Sequence, residues 1–222
     1  MNIGDNITQL RDKLGKDVHL VAVSKTKPAS DIQEAYDAGQ RIFGENRPQE
    51  MQSKHKELPK DIEWHMVGHL QSNKVKYIAG FVDMIHSIDK LSTLKEINKR
   101  AKQNDRTIKV LLQMHIAKEE SKFGMDEKGL IELIESEKFK NYKNISAVGL
   151  MGMATFTDDE AVIRKEFQNL KSIYDRVKAS HFADNTEFNI LSMGMSGDYE
   201  IAIEEGSNMV RIGSMIFGER NT

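Results

Sequence analysis

Eight short apolar runs alternate with polar, helix-patterned segments, and this alternation restricts the fold more than any other feature of the chain. Strand-like runs lie at Leu20–Ser24, Arg41–Glu45, Ile62–Gly68, Asp83–Ile88, Ile108–Ile116, Asn144–Met153, Phe188–Gly194 and Asn208–Gly218. Such runs suit strands covered on both faces. Helical patterns separate them, and another around Ile7–Lys13 comes first. The second helix is expected at Asp31–Ala38, with Ser30 as N-cap and Gly39 as its end. Strand–helix alternation implies a parallel sheet. Eight units with nothing left over predict an α/β protein, a single (β/α)8 barrel domain over 1–222 with an extra N-terminal helix. The length is somewhat below the ~250 residues usual for such barrels. The alternative, a doubly wound open sheet, usually carries a Gly-rich loop after its first strand. Here "VSKTKP" follows, without glycine.

Composition narrows the function. The net charge of -2 gives no general reason to expect nucleic acid or an anionic membrane as partner. With no cysteine, disulfides, thiolate metal sites and cysteine catalysis are excluded. The N-terminus has no signal-peptide core and no segment is long enough to span a membrane, so a cytoplasmic location is expected.

A barrel presents its active site at the C-terminal ends of the strands. There the first strand ends in Lys25, shortly before Pro28 interrupts the pattern. An amine at the exit of a buried strand is partly desolvated and so a better nucleophile toward carbonyls. Alternation along the strand turns Val21 and Val23 to the same side as Lys25, as a dry floor beneath it. The competing reading is a surface amine whose stem lies along the strand end. Asn46, His65, Gly68, Ser192 and Arg211 occupy other strand ends.

The last two units add a second signal. "LSMGMSGDYEIAIEEG" places Ser192, Gly194, Ser196 and Gly197 before a helix, and "RIGS" supplies another small-residue turn after the eighth strand. Small residues admit an anion to the backbone amides, hydroxyls donate, and a helix N-terminus adds positive potential. Phosphate sites in barrels of this type are often built after strands seven and eight. The alternative is that Gly and Ser merely make tight turns. A reactive amine and a phosphate cradle in one barrel suggest a ligand with an aldehyde and a phosphate. Pyridoxal 5'-phosphate meets that description, with its aldehyde as a Schiff base on Lys25.

The motifs "VAVSKTKP", "FGENRPQE", "WHMVGHLQSNK" and "LSMGMSGDYEIAIEEGSNMVRIGSMIFG" resemble, in order and nearly end to end, the pyridoxal phosphate homeostasis family, the PROSC- or YggS-like proteins. The resemblance implies a (β/α)8 barrel like the N-terminal domain of alanine racemase. It implies covalent pyridoxal phosphate on Lys25 and a role in vitamin B6 and amino-acid balance without established turnover. It places Asn46 and His65 around the cofactor ring. Ser192, Met193, Gly194 and Ser196 match the family's phosphate turn, and Arg211, Gly213 and Ser214 match its second turn. Arg211 is expected at the pyridine nitrogen. A guanidinium there stays charged, does not protonate the ring and leaves it a poor electron sink. Apo-forms of pyridoxal enzymes are expected as recipients of the cofactor, and the chain is expected to be a monomer.

Two other functions compete. An amino-acid racemase of the alanine racemase type needs a second base, a tyrosine from a further domain, and no such domain is expected here. None of Tyr36, Tyr77, Tyr142, Tyr174 and Tyr199 has an evident place for that role. A phosphosugar enzyme using Lys25 as an aldolase-type nucleophile is the third class. A metal shared by His65 and His69 is disfavoured, because four strand residues separate two side chains by ~13 Å. "GMSG" lacks the first glycine of a hydrolase elbow, since position 192 is serine. Met151, Met153, Met193 and Met195 read as core or pocket fillers. Lys27, Lys74 and Lys122 are secondary amines for an aldehyde, with surface solvation the simpler expectation.

Overall fold

In the computed structural model, residues 2–119 and 123–219 are described. Eight parallel strands close into a barrel in sequence order, the eighth pairing with the first. They are β1 (His19–Val23), β2 (Ile42–Glu45), β3 (Glu63–Met66), β4 (Met84–Ile88), β5 (Ile108–Met114), β6 (Ile145–Gly152), β7 (Ile190–Ser192) and β8 (Met209–Ile212). Helices α1 (Ile3–Leu14), α2 (Ala29–Asp37), α3 (Pro48–Glu57), α4 (Leu91–Gln103), α5 (Glu127–Glu135), α6 (Glu137–Lys140), α7 (Glu160–His181), α8 (Tyr199–Glu204) and α9 (Ser214–Phe217) surround it, with a 3-10 helix at Ser72–Tyr77 after β3. The expected (β/α)8 barrel is the observed fold.

Local chemistry explains most boundaries. Asp126 and Asp159 cap α5 and α7, their carboxylates accepting from the amides of Gly129 and of Ala161 and Val162. Along α7, Ile163, Phe167, Leu170, Tyr174 and Val177 recur at helical spacing and bury one stripe against the barrel. Two expectations fail at helix starts and strand ends. Pro28, in extended conformation, precedes α2, so Ser30 lies inside the helix and caps nothing. The eighth strand stops at Ile212, because after Gly213 the apolar "SMIF" turns into α9 instead of continuing the sheet.

The apolar residues form two clusters. The larger one fills the shell between barrel and helices and includes Trp64, Phe43, Phe167 and Phe188. The smaller lies inside the barrel and contains Val21, Met84, Leu111, Val148, Met151, Ile190 and Met209. Between them inside the barrel stand buried polar side chains, His65, His86, Gln113, Ser192 and Arg211.

The register between β5 and β6 steps by one residue after Val110, leaving Val148 as an extra residue. The step brings Gly149 against β7, where a Cβ would overlap the carbonyl oxygen of Ile190. Gly149→Ala should therefore force the two strands apart and cost about 3 kcal/mol. Urea denaturation checks this, and a loss below ~1 kcal/mol would show that the pair relaxes readily.

Candidate functional site

Lys25 sits in a turn after β1, partly buried, between Ser24 and Thr26. Thr26 has φ 65°, a left-handed conformation unusual for a β-branched residue. The turn is held firmly. The Ser24 amide donates to Gly44 O, and the Ser24 hydroxyl donates to Glu45 Oε1 at 2.6 Å. The Thr26 amide donates to Glu50 Oε1 at 2.7 Å. Gly213, beyond β8, lies so close that a Cβ on it would be 2.9 Å from the Val23 carbonyl oxygen. The exits of β1 and β8 are therefore in contact. The exits of β2 and β3 are in contact too, since a Cβ on Gly68 would be 2.7 Å from the Asn46 carbonyl oxygen.

The expected dry floor is only half right. Val21 is fully buried inside the barrel, and Val21 and Val23 flank Gly44. Beside them, with Arg211 level with Val21, runs a polar column. Arg211 Nη1 donates to Ser192 Oγ at 2.6 Å and Nη2 donates to Gly152 O at 3.0 Å. Ser192 Oγ is 3.3 Å from His86 Nδ1, and His86 Nε2 is 3.0 Å from His65 Nδ1. Arginine only donates, which leaves the Ser192 hydroxyl proton for His86 Nδ1. His86 then carries its proton on Nε2 and donates to His65 Nδ1.

Burial dominates the charges along this column. It pushes His65 down to about 3, helped by the charges of Lys109 and His19. It pushes His86 well below the ordinary 6.5, with His65 and Arg211 adding to the effect. Both rings are neutral at pH 7. Arg211 is pushed down to about 10 by burial against the pull of Asp198, and remains a cation.

Several expected roles change with this geometry. The Ser192 hydroxyl is fully buried and committed to Arg211 and His86, so it is not a donor in a surface phosphate turn. Met193 faces outward into the shell beneath the helices. His65 does not reach the mouth beside Lys25. It lines a cavity of about 240 Å³ at the opposite end of the barrel, with His19, Glu63, Asp83 and Lys109. The helix after β7 does not begin directly at the turn either. Asp198 intervenes, its carboxylate accepting from the Met195 amide at 2.6 Å.

The remaining turn residues lie after β7 and β8. Gly194 has φ 98°, and a Cβ there would be 2.7 Å from that of Ala202, so glycine alone fits. Ser196 is half-buried in that turn between the exposed Met195 and Gly197, and a Cβ on Gly197 would meet open space. Ser214 and Met215 open α9, where first-turn amides have no acceptor within the helix. Asn46 stands half-buried at the exit of β2.

His69 stacks on Phe123 at 3.9 Å, whereas His65 bonds with His86 inside the barrel. Lys27 Nζ is committed to the carbonyls of Phe217 and Glu219, and Lys74 lies over the Tyr77 ring. Lys122 lies outside the described residues. Sequence reasoning missed His86 and Lys54. Alternation along "DMIHSI" was the available signal for His86. Lys54 looks like an ordinary solvated helix residue until α3 is docked.

The fold and the site define a class, a (β/α)8 barrel of the alanine racemase N-terminal type with a lysine at the exit of β1. A family model described as the alanine racemase N-terminal domain matches residues 1–221. The pyridoxal phosphate homeostasis protein of Aquifex aeolicus is 40% identical over 202 residues, covering 90% of this chain and 86% of that protein. The one from Haemophilus influenzae is 35% identical over 234 residues, covering 100% and 97%. The solved structure of PipY from Synechococcus elongatus, with PLP bound, has a TM-score of 0.88 at 34% identity, covering 97% of this chain and 100% of PipY. An alanine racemase of Clostridium difficile shares the fold at 15% identity, TM-score 0.80, over 100% of this chain and 60% of its own. The chain belongs to the pyridoxal phosphate homeostasis protein family, within the wider alanine racemase N-terminal domain family. The curated relatives carry a homeostasis name, not that of an enzyme.

Proposed function

We propose that this protein binds pyridoxal 5'-phosphate covalently through Lys25 and acts as a carrier and regulator of that cofactor without turnover of its own. The observation that carries the reading is the meeting of the Lys25 turn with the Gly213–Ser214 turn, above the strand that holds Arg211 inside the barrel. The residues present fit the group. Lys25 supplies an amine, Gly194 and Gly213 leave room that a Cβ would fill, and Ser196, Ser214 and the first amides of α9 supply donors. Asn46 adds an amide at the edge.

When bound, the cofactor contributes an aldehyde that condenses with a neutral primary amine, a C=N bond replacing C=O as one water leaves. Everything else is the work of the chain. The turns after β7 and β8 hold the phosphate end. Arg211, fixed by Ser192 and Gly152, presents a permanent positive charge to the pyridine nitrogen and gives it no proton. That arrangement disfavours carbanion chemistry at the ring.

The tyrosines support a carrier over a racemase. Tyr174 and Tyr199 belong to the outer shell, and Tyr36, Tyr77 and Tyr142 pack against it. The hydroxyl of Tyr36 donates to Asp61, that of Tyr199 to Glu200 and that of Tyr174 to Phe188 O. None of the five stands in the barrel interior as a second base. Apo-forms of pyridoxal enzymes are the recipients in this reading, and the carrier works as a monomer in the cytoplasm. No described helix is long and apolar enough to cross a membrane.

The test is incubation with pyridoxal phosphate, desalting, borohydride reduction and peptide mass mapping. The expected result is one equivalent of label on the peptide containing Lys25, with no change in the chirality of added amino acids. Absence of label after reduction would remove the reading.

A further inference from the structure

The two peptide groups that flank Lys25 are both held by charged side chains of one helix. Lys54 Nζ donates to Ser24 O, the carbonyl just before Lys25, at 2.9 Å. Glu50 Oε1 accepts from the Thr26 amide, just after Lys25, at 2.7 Å. Lys54 and Glu50 are four residues apart on α3 and pair with each other at 2.7 Å. Lys54 also pairs with Glu45 Oε1 at 2.7 Å, and the same oxygen accepts from the Ser24 hydroxyl. The Lys54 side chain is 9% exposed and that of Glu45 is 0%. A lysine enclosed to this degree is rarely found without a structural or functional demand, because desolvating an ammonium is costly.

Three features show that the demand comes from the turn. The clip grips backbone, not merely side chains, so it fixes the direction in which Cα of residue 25 projects. It grips on both sides of one residue only. It also holds Thr26 at φ 65°, a conformation with an intrinsic cost for a β-branched residue that persists only where surroundings enforce it. The Glu50 carboxyl is consistent with a tight grip. Burial alone would raise it, yet the hydrogen bonds from Lys54 and the Thr26 amide carry it below the ordinary carboxylate range.

We propose that Lys54 and Glu50 are positioning residues for Lys25, a clip from α3 that aims its amine at the incoming aldehyde. The inference rests on the covalent role of Lys25 proposed above. Neither residue touches the cofactor in this scheme. The clip acts on the geometry of attack, which governs rate: small misplacements of a reacting group cost on the order of 10- to 100-fold.

The experiment measures the rate of label formation on Lys25 with pyridoxal phosphate, by rapid borohydride quench and mass spectrometry. It compares the full-length protein with Glu50→Ala, Glu50→Gln and Lys54→Met. Thermal melting reports folding, and equilibrium binding of pyridoxine 5'-phosphate, which has no aldehyde, reports the phosphate cradle. Glu50→Ala should slow labelling on the order of 10-fold or more while binding of pyridoxine 5'-phosphate is unchanged. Glu50→Gln keeps an oxygen for both donors and should recover most of the rate. Lys54→Met leaves Glu45 buried and unpaired, so its melting point should fall as well as its rate. A normal labelling rate in a folded Glu50→Ala protein overturns the proposal. So does a rate loss that merely follows lost pyridoxine 5'-phosphate binding. If the unsubstituted protein is never labelled at Lys25, the covalent reading itself fails, a result distinct from either of these.

Discussion

Lys25→Ala is expected to bring borohydride-trapped labelling by pyridoxal phosphate down to background while leaving binding of pyridoxine 5'-phosphate intact. The two halves of this outcome come from different parts of the barrel. In the proposed reading covalent capture uses the amine at the exit of β1, and the other lysines nearby are poorly placed for it. Lys27 Nζ is held by the Phe217 and Glu219 carbonyls, and Lys54 Nζ is enclosed by Ser24, Glu45 and Glu50. In the proposed reading the phosphate is retained by the turns at Gly194–Gly197 and Gly213–Ser214, whose close contacts are with Ala202, Tyr199 and Val23. Removal of the Lys25 side chain beyond Cβ leaves that backbone untouched. Persistent label in the variant, mapped to another lysine, would count against a single covalent site. Loss of pyridoxine 5'-phosphate binding would show that the amine also contributes to holding the phosphate.

A second large effect concerns acid. His65 and His86 are neutral in the fold, held below the ordinary 6.5 first by burial. In the unfolded chain both rings take up protons as the pH falls through 6.5. Over that range the unfolded state binds more protons than the folded one, so stability falls with falling pH. The contribution is complete above pH 6.5 and is lost by about 1.4 kcal/mol per pH unit for each ring. By pH 5 the pair accounts for a loss on the order of a few kcal/mol. Burial holds the carboxyls of Glu45 and Asp83 above their ordinary range, which works in the opposite sense. The comparison between the unsubstituted protein and His86→Gln isolates the contribution of the His86 ring. Urea unfolding at pH 7, 6 and 5 should show a steeper decline in the former. Parallel curves would mean that the column accepts a proton inside the fold.

How far the sequence announces this site can be argued residue by residue. The eight strand–helix units are legible because most strand positions are buried and apolar, while the segments between them carry helical patterning. Lys25 is legible because a charged residue closes such a run. The end of β8 is not, because "SMIF" is apolar enough for a strand and only the bend at Gly213 diverts it into α9. Ser192 was assigned to the phosphate turn by composition, but the face of β7 it occupies sends its hydroxyl inward to Arg211. The clip on Lys25 is invisible along the chain for a simpler reason. Lys54, Glu45 and Ser24 come from three elements, and their meeting depends on how α3 docks.

Barrels of this type are generally filled by branched apolar side chains in layers. This one sets two imidazoles, a hydroxyl, an amide and a guanidinium among its interior apolar residues, and keeps its largest apolar side chains, Trp64, Phe43, Phe167 and Phe188, in the outer shell. Persistence of the fold and chemistry toward a ligand are thereby written in two nearly separate alphabets. Drift in the shell changes how long the protein lasts. Drift along the axis changes the hydrogen bonds that fix Arg211. In the proposed reading, a lineage that exchanged Arg211 and the buried polar groups around it for leucine and valine would pass through sturdier molecules on the way to losing its ligand, so selection for robustness alone would erode the function before it harmed the architecture.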